Sequence, residues 1–191
     1  MKSSFYTPAE LKKLAFKTIG KDVLISRYAR IYSMKDIEIG SNVRIDDFCL
    51  LSGKIKIGSH VHISAYASLC GGEKWITLDD FVNVSQKVEI YAKTDDFSGA
   101  TLTNPTIPDK FKNLVEADVI LKKHVLVGVG SVVLPGVTLE EGSVIGALSL
   151  VKNSTSPWSI NVGIPAKKIK DRQKDLLKLE NLFLDEYNKR Q

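Results

Sequence analysis

Aliphatic residues recur at every sixth position along most of this chain. The period is most regular in one stretch, where it includes Leu121, Val127, Val133, Leu139, Ile145 and Val151. An α-helix would repeat every 3.6 residues and a single strand every 2 residues, so neither explains the spacing. A strict six-residue period is typical of a parallel β-helix, in which each hexapeptide forms one face of a stacked coil.

The same count runs through the N-terminal half with three interruptions. It slips by two residues around SMKDIE, shifts by three more at CGGEKW, and stops in DFSGATLTNPTIPDKFKNLVEA. Loops as long as this last one are uncommon inside compact domains and are usually functional. We therefore predict a β-helix over residues 19–95 and 118–151, with a protruding loop over residues 96–117.

Both ends of the chain have helical signals. A helix start signal lies near the N-terminus: Thr7 is the N-cap, Pro8 is at the first helical position, and Glu10 follows three residues after the cap. The spacing predicts an N-terminal helix over residues 7–19, which would cover the open end of the coil. The charged tail carries an apolar stripe and predicts a C-terminal helix over residues 166–190. The whole chain is expected to form one domain.

Composition narrows the functional classes. The chain has 191 residues, of which 43% are hydrophobic and 26% charged, as in soluble globular proteins. We find no membrane-spanning run and no signal-peptide core, so we expect a cytoplasmic protein without membrane insertion. The net charge of +5 is concentrated in short lysine clusters without interleaved aromatics, which favours a phosphorylated small molecule over nucleic acid. Cys49 and Cys70 have no metal-ligand spacing, and both are expected to be packing residues.

The closing sequence LPGVTLEEGSVIGALSLVKN, followed by VGIPAKKIK, resembles that of the hexapeptide-repeat acyltransferases. This resemblance covers nearly the whole chain. It implies an all-β, left-handed parallel β-helix that works as a homotrimer. It also implies that acetyl-CoA or another acyl-CoA binds between neighbouring coils as co-substrate, with no metal.

A narrower resemblance is carried by SFYTPAELKKLAFKTIGKDVLIS, RIDDFCLLSGKIKIGS and IYAKTDDFSG with NPTIPDKFKN. These stretches are similar to bacterial sugar N-acyltransferases of lipopolysaccharide and exopolysaccharide pathways, of the type that acylates dTDP-4-amino-4,6-dideoxyglucose. The resemblance implies transfer of an acyl group, acetyl in the first instance, to the amino group of a nucleotide-linked amino-deoxysugar.

The candidate base lies where the six-residue count breaks off. In the galactoside and xenobiotic acetyltransferase branch that position is a histidine, and the matching residue here is Asp95. A carboxylate, with a reference pKa of about 4, suits deprotonation of an attacking amine better than that of a hydroxyl. The substitution therefore favours N-acylation, with an O-acetyltransferase of an oligosaccharide or antigen precursor as the alternative. Asp95 could instead cap its own turn, and Asp96 competes for the role of base.

Further site residues follow from the resemblance and the spacing. Ser85 is assigned a catalytic role, since its hydroxyl could hydrogen-bond the sugar or the acyl carbonyl. Substrate-binding roles are assigned to Asn83, Glu89 and Asp96. The histidines, His60, His62 and His124, are expected to be surface residues, and they do not match the metal-binding pattern of γ-class carbonic anhydrases.

Coenzyme A is expected along the C-terminal coils. Gly130 and Ala147 are small residues that would let the pantetheine arm of coenzyme A approach the main chain closely. Cations placed to meet the phosphates are Lys152, Lys167, Lys168 and Arg172. The alternative for each of these cations is a place on a solvated basic face. The alternative for the whole protein is a non-catalytic scaffold that does not bind coenzyme A.

Overall fold

The chain winds into a parallel β-helix in a computed structural model that describes residues 4–189. Ile45 pairs in register with Ile63, and Val127 pairs with Ile145, in each case eighteen residues further on. One coil therefore consists of three hexapeptides. The predicted fold class, a parallel β-helix built from hexapeptides, is confirmed.

The secondary structure is dominated by short strands. The helices are α1 (Pro8–Leu11) and α2 (Leu176–Asn188), and single 3₁₀ turns span Met34–Asp36 and Asp109–Phe111. The strands are β1 (Thr18–Ile19), β2 (Leu24–Ile25), β3 (Arg30–Ile31), β4 (Ile37–Ile39), β5 (Arg44–Ile45), β6 (Leu50–Ile57), β7 (His62–Ile63), β8 (Ser68–Leu78), β9 (Asn83–Val84), β10 (Glu89–Tyr91), β11 (Lys93–Asp95), β12 (Leu114–Glu116), β13 (Val119–Leu121), β14 (Leu126–Val127), β15 (Val132–Val133), β16 (Thr138–Leu139), β17 (Val144–Ile145), β18 (Leu150–Val151), β19 (Ser159–Gly163) and β20 (Ala166–Asp171).

These strands form three sheets. One face of the coil is an eight-stranded sheet in the order β2-β5-β7-β9-β14-β17-β19-β20. The other two faces belong to one ten-stranded sheet, because β6 pairs with both β3 and β4 and β8 pairs with both β10 and β13. The third sheet is a separate antiparallel ribbon of β11 and β12 at the base of the protruding loop.

The interruptions in the six-residue count lengthen single coils without breaking the stack. Around the 3₁₀ turn Met34–Asp36, Ile19 pairs with Ile39, two residues beyond the regular coil length. Across the protruding loop, Val84 pairs with Val127. The coils before and after each insertion thus keep the same faces aligned.

The core is the column of inward side chains. Its members, each 0% exposed, include Ile45, Leu51, Ile63, Leu69, Ile90, Leu121, Val127 and Leu139. Cys49 is 1% exposed and belongs to the same column, as predicted. Burial of one such side chain contributes about 1.5–3 kcal/mol.

Glycines at the coil corners are required by close approach between coils. A Cβ on Gly128 would lie 2.6 Å from the main-chain nitrogen of Ala147, and one on Gly40 would lie 2.6 Å from the carbonyl carbon of Gly58. Such distances are shorter than any side-chain contact allows. A residue without a Cβ is therefore needed at these corners.

The N-terminal helix is shorter than the predicted span of 7–19. The capping box is present, since the Glu10 N–H donates to Thr7 Oγ1 and the Thr7 N–H donates to Glu10 Oε2. The helix nevertheless ends at Leu11. The end of the predicted span belongs to the first coil, where Ile19 pairs with Ile39, and a strand in that register cannot remain helical.

The predicted C-terminal helix over residues 166–190 is wrong in its first part. β19 (Ser159–Gly163) pairs with β17 and so extends the coil beyond Val151, and β20 (Ala166–Asp171) folds back antiparallel onto it. An unpaired sheet edge is unfavourable, and β20 covers it. The helix begins only at Leu176. Between residues 4 and 189, no helix is both long and apolar enough to cross a membrane.

Candidate active site

A cavity of about 360 Å³ lies between the outer surface of the coil and the protruding loop. The coil side contributes Cys70 and Tyr91, which are neighbours in the register of β8 and β10. The β11–β12 ribbon and the loop contribute Lys93, Asp95, Asn104 and Lys112. The cavity is therefore lined by one carboxylate and two ammonium groups.

Asp95 is held at the edge of this cavity by the ribbon. It is the last residue of β11 and pairs with Leu114 of β12. The main-chain N–H of Asn104 donates to Asp95 Oδ1 at 3.4 Å. Asn104 has a φ of 75°, and its own side-chain oxygen accepts hydrogen bonds from Thr106. The loop thus folds back onto Asp95 and supports it from one side, while the carboxylate stays half-buried and faces the cavity.

Asp96 has a different role from its neighbour. Its carboxylate accepts hydrogen bonds from the Ser98 N–H at 2.8 Å, the Ser98 hydroxyl at 2.9 Å and the Thr101 hydroxyl at 3.2 Å. The hydrogen bonds from Ser98 and Thr101 hold the pKa of Asp96 below its ordinary range. Asp96 is therefore the residue that caps the loop turn, and it does not line the cavity.

Ser85 and Asn83 lie on another face of the coil. Asn83 is in β9 of the eight-stranded sheet, and Ser85 follows that strand with its N–H donating to the Val127 carbonyl. Asp95 comes after β10, which belongs to the ten-stranded sheet. Within one chain, Ser85 does not line the cavity that Asp95 faces.

Glu89 lies next to the cavity and is connected to it through Tyr91. The Tyr91 hydroxyl donates to Glu89 Oε2 at 2.6 Å. Burial, and then the bond to Glu89, raises the pKa of Tyr91. Burial and the charge of Glu89 also raise the pKa of the Cys70 thiol, so the thiol is a poor nucleophile at neutral pH.

Two lysines of the cavity were missed by sequence reasoning. The Lys112 side chain is 9% exposed and lies 3.0 Å from Asp109 Oδ1, and Lys93 Nζ lies 3.8 Å from Glu116 Oε1. The only signal for them was their place in or beside a long loop of functional character.

The residues expected to bind coenzyme A lie near the C-terminal end of the coil. Gly130 occupies a corner with a φ of 68°, and Ala147 is exposed. The exposed lysines are Lys152, which follows β18, and Lys167 and Lys168 of β20; Lys168 pairs with Asp171 at 2.7 Å.

Arg172, also expected to meet the phosphates, has structural contacts on the coil. Its guanidinium donates to the His124 carbonyl at 2.8 Å and to the Gly142 carbonyl at 3.0 Å. These contacts hold the C-terminal segment on the coil.

The three histidines have structural contacts. His60 stacks on Phe81, with ring centroids 4.9 Å apart, and His62 Nε2 lies 2.8 Å from Asp46 Oδ2. The expectation that His124 is a surface residue is wrong, because its side chain is 7% exposed and bonds to Glu180. In residues 4–189, no three His, Cys, Asp or Glu side chains are grouped as metal ligands.

Comparisons with known proteins agree with this architecture. No protein-family model matches the sequence. The chain is 45% identical over 177 residues to the dTDP-4-amino-4,6-dideoxy-D-glucose acyltransferase of Escherichia coli, covering 91% of this chain and 92% of the relative. It is 52% identical to AntD, an N-acyltransferase from Bacillus cereus solved with dTDP and 3-hydroxybutyryl-CoA. That comparison has a TM-score of 0.95 and covers 97% of this chain and 98% of AntD. AntD was also solved with one aspartate or one serine replaced.

A more distant structure shows the fold alone. The hexapeptide-repeat acetyltransferase VCA0836 of Vibrio cholerae, solved with acetyl coenzyme A, is 18% identical with a TM-score of 0.60, over 86% of this chain and 75% of that protein. The coil, the loop cavity and the full-length similarity define an acyltransferase of the hexapeptide-repeat class. The chain belongs to the family of dTDP-4-amino-4,6-dideoxy-D-glucose acyltransferases.

Proposed function

We propose that this protein transfers an acyl group from acyl-CoA to the 4-amino group of a dTDP-linked 4-amino-4,6-dideoxyglucose. The observation that carries the proposal is the full-length similarity to an N-acyltransferase solved with dTDP and an acyl-CoA. The aspartate and the serine replaced in the AntD structures are ten residues apart, the same spacing as Ser85 and Asp95 here. We take the product to be a building block of lipopolysaccharide or another surface polysaccharide, made in the cytoplasm.

The proposed reaction is direct transfer. The neutral amine attacks the thioester carbonyl, the N–C bond forms, the C–S bond breaks and the coenzyme A thiol leaves. The amine nitrogen becomes acidic once bonded to the carbonyl carbon, and Asp95 accepts its proton, which ends on the departing sulfur. Burial and the charge of Glu89 raise the pKa of the half-buried Cys70 thiol, which argues against an acyl-cysteine intermediate at this cavity.

We infer that the working enzyme is a homotrimer whose sites lie between copies. Ser85 follows β9 of the eight-stranded sheet, whereas Asp95 belongs to the β11–β12 ribbon and faces a cavity that Ser85 does not line. We therefore propose that the two residues of one site come from neighbouring chains. Asn83 lies beside Ser85 and would reach the same site, whereas Glu89 would act through Tyr91. Asp96 would shape the loop without contacting the substrate.

The acyl-CoA is proposed to lie along the C-terminal coils. Gly130 and Ala147 leave space for the pantetheine arm, since neither carries a long side chain. The phosphates would meet Lys152 and Lys167, with Lys168 shared with Asp171. The acyl group is proposed to be acetyl. The alternative to be tested is 3-hydroxybutyryl, because AntD was solved with that thioester.

The test is a thiol-release assay on the purified protein. It uses acetyl-CoA or 3-hydroxybutyryl-CoA with dTDP-4-amino-4,6-dideoxyglucose, and mass spectrometry locates the acyl group. A matched dTDP sugar with a hydroxyl in place of the amine is the control. Turnover of the amine alone supports the proposal. Comparable turnover of the hydroxyl sugar would indicate the alternative, an O-acetyltransferase.

A further inference from the structure

An incompletely neutralised ammonium group lies in the wall of the cavity beside Asp95. The Lys112 side chain is 9% exposed, whereas the side chain of its partner Asp109 is 95% exposed. An ion pair with so exposed a carboxylate is weak, while removal of an ammonium group from water is costly without a good partner. The site therefore favours a second anion at Lys112.

The main chain of the loop holds Lys112 in this position. The Leu102 N–H donates to the Phe111 carbonyl at 3.0 Å, and Leu102 forms a bridge with Lys112. Lys110, two residues earlier, is exposed and lies over the Phe111 ring at 4.9 Å. Two lysines of one turn thus differ sharply in environment, and only Lys112 lines the cavity.

Lys93 supplies a second ammonium group to the same cavity. It lies 3.8 Å from Glu116, a distance at which the pair is loose. Both side chains pack over Gly72, where a Cβ would lie 3.0 Å from Glu116 Oε1 and 3.3 Å from Lys93 Cδ. Gly72 of β8 therefore leaves room for this second cation.

Two cations and one carboxylate in one cavity suit a ligand that carries an amine and a phosphate. We propose that Lys112, with Lys93 as its weaker partner, binds the diphosphate of the sugar nucleotide and so turns the sugar amine toward Asp95. This inference rests on the proposed function, since it assigns the nucleotide subsite of the same site. Charge-assisted hydrogen bonds from ammonium to phosphate are strong enough to select the nucleotide-linked sugar over the free sugar.

The test compares Lys112→Met with Lys110→Met as the matched control. In the thiol-release assay, Lys112→Met is expected to raise KM for the dTDP-amino sugar about tenfold or more, because a charge-assisted hydrogen bond is lost. Its KM for acyl-CoA and its kcat are expected to stay near wild type. Lys112→Arg should recover most of the loss, and Lys110→Met should behave as wild type.

Calorimetry separates the contribution of the diphosphate to binding from that of the thymidine group. Lys112→Met is expected to lose affinity for dTDP and keep its affinity for thymidine, and wild-type affinity for dTDP should fall with added salt. Unchanged dTDP affinity in a folded Lys112→Met protein contradicts the inference. A loss of kcat at constant KM also contradicts it, since it would place Lys112 at the thioester carbonyl. If Lys112→Met does not fold, salt-independent binding of dTDP by the wild type overturns the inference. Wild-type turnover is measured first, so an absence of acylation is a failure of the proposed function itself.

Discussion

The imidazole of His124 and the carboxylate of Glu180 lie 2.8 Å apart, and each side chain is only 7% exposed. His124 is at a corner of the coil with a φ of 62°, and Glu180 is in α2 (Leu176–Asn188). Lys123 Nζ lies 2.5 Å from the other carboxylate oxygen. This contact, with Arg172 beside it, fastens the C-terminal helix to the coil.

Glu180→Gln is expected to lower the free energy of unfolding by about 1.5–3 kcal/mol at neutral pH, because a hydrogen-bonded buried charge is lost. Burial opposes ionisation of Glu180, but the hydrogen bonds from Lys123 and His124 outweigh it and lower its pKa. Urea denaturation measures the change. Asp185→Asn, at an exposed position of the same helix, is the control and should shift stability by less than about 0.5 kcal/mol.

The contribution of Glu180 to the free energy of unfolding should decrease as the pH falls. A carboxyl whose pKa is lower in the folded state stabilises the fold above the ordinary value of 4.5, and this stabilisation is lost as the pH falls through the folded pKa. The difference between wild type and Glu180→Gln should therefore shrink in acid. A difference that is constant from neutral pH to acid would show that the charge of Glu180 is unimportant.

The coil could be predicted from the sequence because its signal is local and repeated. Inward residues such as Leu139 are fixed by a period that a window of a few hexapeptides already shows. The strand Ala166–Asp171 was missed because its structure depends on the open edge of β19. The burial of His124 was missed because its partner lies fifty-six residues away. Long-range contacts of this kind leave no periodic trace.

Gly128→Ala is expected to destabilise the coil by about 3 kcal/mol, at the upper end of the usual cost of overpacking. The added Cβ would lie 2.6 Å from the Ala147 main-chain nitrogen, and main-chain atoms cannot move aside cheaply. Thermal unfolding monitored by circular dichroism measures the effect. Gly99→Ala is the control, because a Cβ there meets nothing within 4 Å and only its φ of 81° is strained, at a cost of about 1 kcal/mol. Equal effects of the two changes would argue against crowding between coils.

The candidate site was only partly visible in the sequence. Asp95 could be selected because the resemblance places the base at the end of a coil, and the six-residue count ends at Asp95. The neighbouring Asp96 could not be excluded as the base from sequence, since the hydrogen bonds that make it a turn cap form only in the folded loop. Lys112 was invisible for the same reason, because burial within an aperiodic loop depends on how that loop folds.

Asp95→Asn is expected to lower kcat by about a hundredfold, the lower end of the usual contribution of general acid–base catalysis. Asparagine keeps the size of the side chain and its hydrogen bond from Asn104 but cannot accept the amine proton. The thiol-release assay measures kcat with both substrates saturating. Asp96→Asn is the matched control, expected to disturb the loop turn and leave most of kcat. Nearly full turnover by Asp95→Asn would exclude it as the base, and proton transfer to the sulfur through water would take its place.

Mixed assemblies test whether each site takes Ser85 and Asp95 from different chains. Ser85→Ala and Asp95→Asn proteins, each impaired alone, are unfolded together, refolded at equal amounts and assayed. In a cyclic trimer, a site with Ser85 from one copy and Asp95 from the next is restored in about one quarter of the random pairings. Activity should rise to roughly that fraction of wild type, with light scattering confirming the trimer. Equal amounts of the two variants mixed without unfolding are the control for activity that does not depend on refolding into mixed assemblies. If refolding gives no more activity than this control, both residues of a working site belong to one chain, or they do not act together.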